Sequence, residues 1–235
     1  MMFRISKIAP VWLLAGPFLA VPAEHASGTP EPGNLYGQSI EFDVYRKGAR
    51  VGSHSVEFRP EGEILAVDSR FRLKIDVLFF TAYAFDYRSQ AQWRDGLLVD
   101  LRVTVDDNGD AFSLVAERQG GAMRLTRPKD NETVAAPVLP TNHWNAAVLR
   151  ESRVLNTLTG RINNVEIVPE GEEIVPTERG PVRATRYRYT GDLQNEVWYD
   201  SAGRWVKMRF KGKDGTDIEY VCRRCQGGTV REAIN

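Results

Sequence analysis

Few residues in this chain are of a type and spacing that could do chemistry. There are 3 histidines among 235 residues: His25, His54 and His143. His54 shares strand parity with Val56 and Phe58, and no second group at a catalytic spacing accompanies it. A hydrogen-bonded core histidine is the favoured reading, and a base in a dispersed site is the alternative. His143 stands beside Trp144 at the start of a helical stretch. Capping that stretch is its favoured role, with lining a pocket the alternative. Cys222 and Cys225 bracket two arginines. A redox pair opens a helix after a strand. This motif instead follows the strand-like residues 216–221 and runs into Gln226-Gly227-Gly228. It reads as a local disulfide in an oxidising compartment, or as two idle thiols. No histidine has ligand spacing to the cysteines, so neither a metal nor a cofactor is expected.

The spacing Asp106, Asn108, Asp110 and Glu117 approaches a calcium loop, but Ala111 stands where the sharp turn needs glycine. Phe112, Leu114 and Ala116 alternate as a strand, and Asn108-Gly109 already accounts for a hairpin tip. The chain has no nucleophile elbow, no paired-histidine zinc helix, no phosphate-binding glycine loop and no dinucleotide fingerprint. Paired carboxylates of the glycosidase kind leave no local signature, so a hydrolase with a dispersed site stays among the alternatives. What the chain has in number is aromatic residues. Tyr83, Phe85, Tyr87, Trp93, Trp144 and Trp198, with His54, are candidates for a ligand-binding wall, since such sites are apolar with a few placed polar groups. A plain hydrophobic core would show the same alternation.

The elements that carry these residues are strands. Leu65, Val67, Ser69, Phe71, Leu73, Ile75 and Val77 alternate with Asp68, Arg70, Arg72, Lys74 and Asp76, giving one apolar and one wet face. Similar runs recur from Ile40 to Val221, separated by Gly, Asn and Asp turns. One stretch breaks the pattern: residues 141–152 (TNHWNAAVLRES) carry a capping residue and helical apolar spacing, predicting a helix. About a dozen strands in one sheet rarely stay flat. The expected fold is mainly β: a large curled antiparallel sheet or incomplete β-barrel, with the 141–152 helix packed on its concave face.

At the N-terminus, Arg4 and Lys7 precede an uncharged, largely apolar run over residues 8–21, followed by Val21-Pro22-Ala23. That order is a secretory signal cleaved after Ala23, or alternatively after Ala26. The run is shorter than the ~20 residues that cross ~30 Å of hydrocarbon, and no cysteine near the cut offers a lipid anchor. The expected layout is a signal peptide over 1–23, a disordered lead-in over 24–34, one β domain over 35–225 and a flexible tail over 226–235. The location is periplasmic or secreted. Of 31 basic and 31 acidic residues the leader holds only Arg4 and Lys7. The remaining near-neutral chain shows no basic patch for nucleic acid.

The runs YGQSIEFDVYRKGARVG (36–52), Ser69 to Trp93, Asp106-Asp107-Asn108-Gly109, His143-Trp144-Asn145 and GDLQNEVWYDSAGRWVKMRF (191–210) resemble a family of exported bacterial proteins catalogued as domain of unknown function 6134. The resemblance spans nearly all of the mature chain and brings no catalytic residues with it. More faintly, the opening FDVYRKGARVG is similar to other exported β proteins. Among these and the periplasmic lipoprotein carriers, a half-barrel closed by helix recurs. Three functions are therefore expected in order: binding of a lipid or other apolar or amphipathic ligand in the curled sheet, an envelope structural or protein-interaction module, and the dispersed-site hydrolase.

Overall fold

A computed structural model describes residues 31–229, the side chain of Val77 excepted. The expected leader, His25, residues 24–30 of the lead-in and residues 230–235 lie outside the described residues. Period-two alternation produces a run of antiparallel hairpins: β1 (Ser39–Arg46), β2 (Ala49–Glu61), β3 (Ile64–Val77), β4 (Phe80–Arg94), β5 (Leu97–Asp107), β6 (Asp110–Gln119), β7 (Ala122–Thr126) and β8 (Asn131–Ala135). A second run follows: β9 (Leu139–Pro140), β10 (Arg153–Asn156), β11 (Arg161–Val175), β12 (Val182–Gly191), β13 (Glu196–Asp200), β14 (Trp205–Lys211) and β15 (Asp217–Arg224). β15 returns to pair with β1, so the two runs join into one 15-stranded sheet ordered β8 to β1, then β15 to β9. The β9–β10 pairing is parallel.

The sheet does not close: β8 and β9 are its two edges. They are consecutive in the chain, with only residues 136–138 between them. A chain advances at most ~3.6 Å per residue, so the edges stand within roughly 15 Å of each other at that point. The result is an incomplete barrel. At the β5–β6 tip, Asn108 and Gly109 both take positive φ (57° and 97°). A two-residue primed turn requires this. The Gly109 N–H donates to Asp106 Oδ1 at 2.7 Å, so the calcium-like spacing belongs to a hairpin.

After β8 the chain crosses the concave face as a strap, residues 136–160. The expected helix over 141–152 is reduced here to a 3-10 turn, Ala146–Arg150, started by Asn145, whose side chain accepts from the Ala147 N–H. The physical reason lies in the preceding carbonyls. Tyr199 Oη donates to the His143 carbonyl at 2.6 Å, and Tyr36 Oη donates to the Trp144 carbonyl at 3.0 Å. An α-helix would have used those oxygens for its own ladder. With Tyr87 Oη donating to Thr157 Oγ1 at 3.1 Å, three buried tyrosines pin the strap. Trp144 packs against Trp93 and Phe58 with ring centroids 5.1 and 5.4 Å apart, and Val148, Val154 and Leu155 of the same segment are buried.

The described residues continue on both sides of 35–225. Pro32–Tyr36 is a short helix, α1, with Leu35 and Tyr36 buried. Gln226 is buried too. Gly228 packs so closely on α1 that a Cβ there would lie 2.0 Å from the Asn34 carbonyl oxygen, an approach open only to glycine. The two legs hold each other, which a residue-type count of Pro, Gly and Ser does not foresee. β9 and β10 are only 2 and 4 residues long, too short for alternation to register, and β8 (NETVA) has a single buried apolar residue, Val134.

Candidate functional site

The strap does not fill the barrel. Between it and the strands lies a cavity of about 280 Å³. Alternation on β2 and β3 points His54, Val56, Ser69 and Phe71 into it, and β4 adds Tyr87. β14 and β15 add Trp205, Met208, Phe210 and Tyr220; the strap adds Thr141, Asn142, His143, Asn156, Thr157 and Leu158; the β12–β13 loop adds Leu193, Gln194 and Asn195. The mouth lies by Leu158, which is 47% exposed, and Lys211, whose ammonium is paired with Asp217 at 2.7 Å.

Trp205 owes its position to the β13–β14 turn. There Asp200 accepts from the backbone N–H groups of Ala202 and Arg204 and forms a fully buried ion pair with Arg204 Nε at 2.6 Å. The Trp205 N–H then donates to Tyr36 Oη at 2.8 Å. One tyrosine hydroxyl thus ties the strap to the cavity wall.

The wall is aromatic. The His54 ring lies against Phe71, Trp205 and Tyr220 with centroids 6.0, 5.5 and 5.3 Å away. His143 meets Tyr189 and Trp205 at 5.6 and 5.5 Å. Set into this wall are buried polar atoms without a protein hydrogen-bond partner: both ring nitrogens of His54, Ser69 Oγ, Asn142 Nδ2, His143 Nδ1 and Asn195 Oδ1. Leaving such a group unpaired costs ~1–3 kcal/mol, so each of these atoms calls for a partner such as water or a ligand.

No carboxylate is among the lining residues. Burial, reinforced by the nearby His143, pushes the His54 imidazole down to about 3. Burial alone pushes His143 down to about 4. Both rings are therefore neutral across the physiological range, each offering one donor and one acceptor nitrogen. A general base at His54 would need a group to orient it, and the cavity supplies no acid for that.

Of the aromatic candidates, only His54 and Tyr87 line the cavity. Trp93 and Trp144 meet edge to face in the filled part of the barrel. Phe85, one pleat beyond Tyr87 on the same face of β4, packs on Phe71 at 5.5 Å. Tyr83 sits further out along β4, its hydroxyl donating to Asp107 at 2.8 Å. Trp198 is on the outer face: its indole N–H donates to Glu173 at 3.0 Å and Lys207 lies 4.8 Å over its ring. Its parity with Glu196 on β13 was the available signal, since Val197 and Tyr199 take the inward positions. Tyr220, Met208 and Phe210 were missed as lining residues, although each lies on a strand read correctly. Cys222 and Cys225 form a disulfide away from the cavity, against Glu178, whose carboxylate accepts from the Cys225 and Gln226 N–H groups at 3.1 and 2.8 Å.

A family model described as "Domain of unknown function (DUF6134)" matches residues 42–223, most of the described fold. The chain belongs to the DUF6134 family. The match covers every strand that lines the cavity, together with the strap. Among solved structures, the chain is similar to a β-barrel-like protein of domain of unknown function DUF1849 from Brucella abortus. The TM-score is 0.59 at 12% identity, over 82% of this chain and 98% of that one. That likeness concerns the fold. Comparison with curated proteins gave no match. Among the described residues, no helix is long and apolar enough to cross a membrane.

Proposed function

We propose that this member of DUF6134 is an exported, periplasmic or secreted, binding protein for a small uncharged amphipathic molecule, held in the cavity between the strap and strands β2–β4, β14 and β15. The observation that carries this reading is the set of unpartnered polar atoms on His54, Ser69, Asn142, His143 and Asn195 around one aromatic-walled space. An apolar enclosure with a few placed polar groups is the general form of a small-molecule site. The absence of a lining carboxylate and the neutrality of both histidines disfavour a ligand charge buried at the bottom. At about 280 Å³ the space is just below the ~300–1,000 Å³ typical of ligand pockets. It suits one ring system or one short chain with a hydrogen-bonding head. The secretory pattern of the N-terminus supports the location.

The cavity-filling variant Ser69→Phe tests this. Titration with the neutral fluorescent probe N-phenyl-1-naphthylamine is expected to show saturable binding to the wild-type protein. Affinity should weaken about tenfold or more in the variant, as expected when contact volume is lost from a close-packed site. Ile174→Ala, exposed on β11, should bind as wild type. Equal affinity in Ser69→Phe would remove the cavity as the binding site.

A further inference from the structure

β3 and β4 outrun their neighbours. Pairing of β2 with β3 ends at Gly52↔Leu73, and pairing of β4 with β5 ends at Phe85↔Asp107, whereas β3 and β4 continue to pair through Ile75↔Tyr83 to Val77↔Phe80. At ~3.4 Å per residue, this two-stranded ribbon projects roughly 13 Å beyond the sheet. Its tip is Leu78-Phe79-Phe80, with side chains 88%, 96% and 75% exposed. Turn chemistry does not ask for these residues: Leu78 holds a left-handed φ of 56°, a conformation that favours glycine or asparagine. The tip is therefore unfavourable both to solvent and to its own backbone.

We propose that this hairpin tip docks the protein on a membrane by inserting Leu78, Phe79 and Phe80 into a zwitterionic lipid surface. The area decides against a protein partner for the tip alone. A phenylalanine buries ~150–250 Å², so the three side chains offer roughly 500 Å², short of the ~800 Å² each side brings to a specific protein interface. A bilayer sets no such minimum, because binding to it scales with the apolar area inserted. Two ion pairs lie below the tip. Lys74 pairs with Asp76 at 3.2 Å and Lys213 with Asp107 at 2.7 Å. Tyr83 donates to that same Asp107, an amphipathic side chain of the kind that settles at headgroup level. A belt of paired charges complements headgroups that carry both signs. The ribbon grows from the cavity wall, as Phe85 packs on the lining residue Phe71. The docking nevertheless goes beyond the ligand-binding reading and stands without it.

The test is co-sedimentation of the full chain with phosphatidylcholine vesicles. Wild type is expected to partition to the vesicles. Phe79→Ser/Phe80→Ser should lose about tenfold or more of that partitioning, because the apolar area it inserts is removed, with an unchanged melting temperature. Phe79→Leu/Phe80→Leu should retain it within about threefold. Replacing about a third of the lipid by phosphatidylglycerol should alter binding less than about twofold, since no net charge drives it. Wild-type protein left in the supernatant, a double-serine variant that still sediments as wild type, or binding that needs the anionic lipid would each overturn the proposal.

Discussion

His54 and His143 face each other's surroundings across one aromatic space, and burial holds both imidazoles neutral, at about 3 and about 4. An unfolded histidine titrates near ~6.5. Between those values the unfolded chain binds more protons than the folded one, so stability rises with pH there and falls on acidification. Unfolding by urea should show a plateau above about pH 7 and a loss of ~3 kcal/mol or more by about pH 4. His54→Phe should flatten part of that slope, since a phenyl ring has no proton to gain among Phe71, Trp205 and Tyr220. A profile unchanged by the substitution would mean that His54 is charged or solvated in the folded protein. The parity of His54 with Val56 was legible in the sequence and placed it inward. Its lack of any partner was not, because that depends on which side chains arrive from β14, β15 and the strap. The same limit explains the aromatic candidates. Trp93 and Tyr87 lie on one face of one strand, and alternation alone cannot distinguish the one that packs from the one that borders a space. Trp198 is the exception: its outward parity was readable and its hydrophobicity obscured it.

The strap depends on tyrosines from three distant places in the chain. Tyr36, Tyr87 and Tyr199 hold Trp144, Thr157 and His143 respectively. Removing one hydroxyl leaves a buried acceptor unpaired. Tyr199→Phe is therefore expected to cost ~1–3 kcal/mol in chemical denaturation. It should also speed hydrogen exchange across residues 141–150, while amides of β3–β4 keep their protection. Uniform loss of protection over both regions would show that the strap does not open as a unit. Local signals for this segment, a cap followed by helically spaced apolar residues, pointed to an α-helix. Hydroxyls more than 50 positions away claim the carbonyls it would have used, and a local pattern carries no record of that. The long strands were legible for the opposite reason. On β3 and β4 each residue's side is fixed by its immediate neighbours. At the β3–β4 tip, the exposure of Leu78-Phe79-Phe80 follows from the uneven strand ends, which alternation does not reveal.

For the whole molecule, successive hairpins gave most of the strand order directly, since neighbours in the chain are neighbours in the sheet. The return of β15 to β1 joins the two runs and brings Phe42 beside Trp205 and Tyr220, with ring centroids 4.4 and 5.8 Å away. That long-range pairing, together with the short gap between edge strands β8 and β9, turns a curled sheet into a near-barrel with an inside. The inside is then divided: the strap packs one part solidly through Trp144, Val148, Val154 and Leu155, and the other part is the cavity. A ligand site is therefore a property of closure and strap together, and neither leaves a motif. The most direct measurement is native mass spectrometry of the protein isolated gently from its own cells, followed by identification of anything released. One stoichiometric small molecule, uncharged or nearly so and lost from Ser69→Phe, is expected. Protein isolated in the same way that carries no bound mass, and that binds no neutral amphipathic probe, would contradict it.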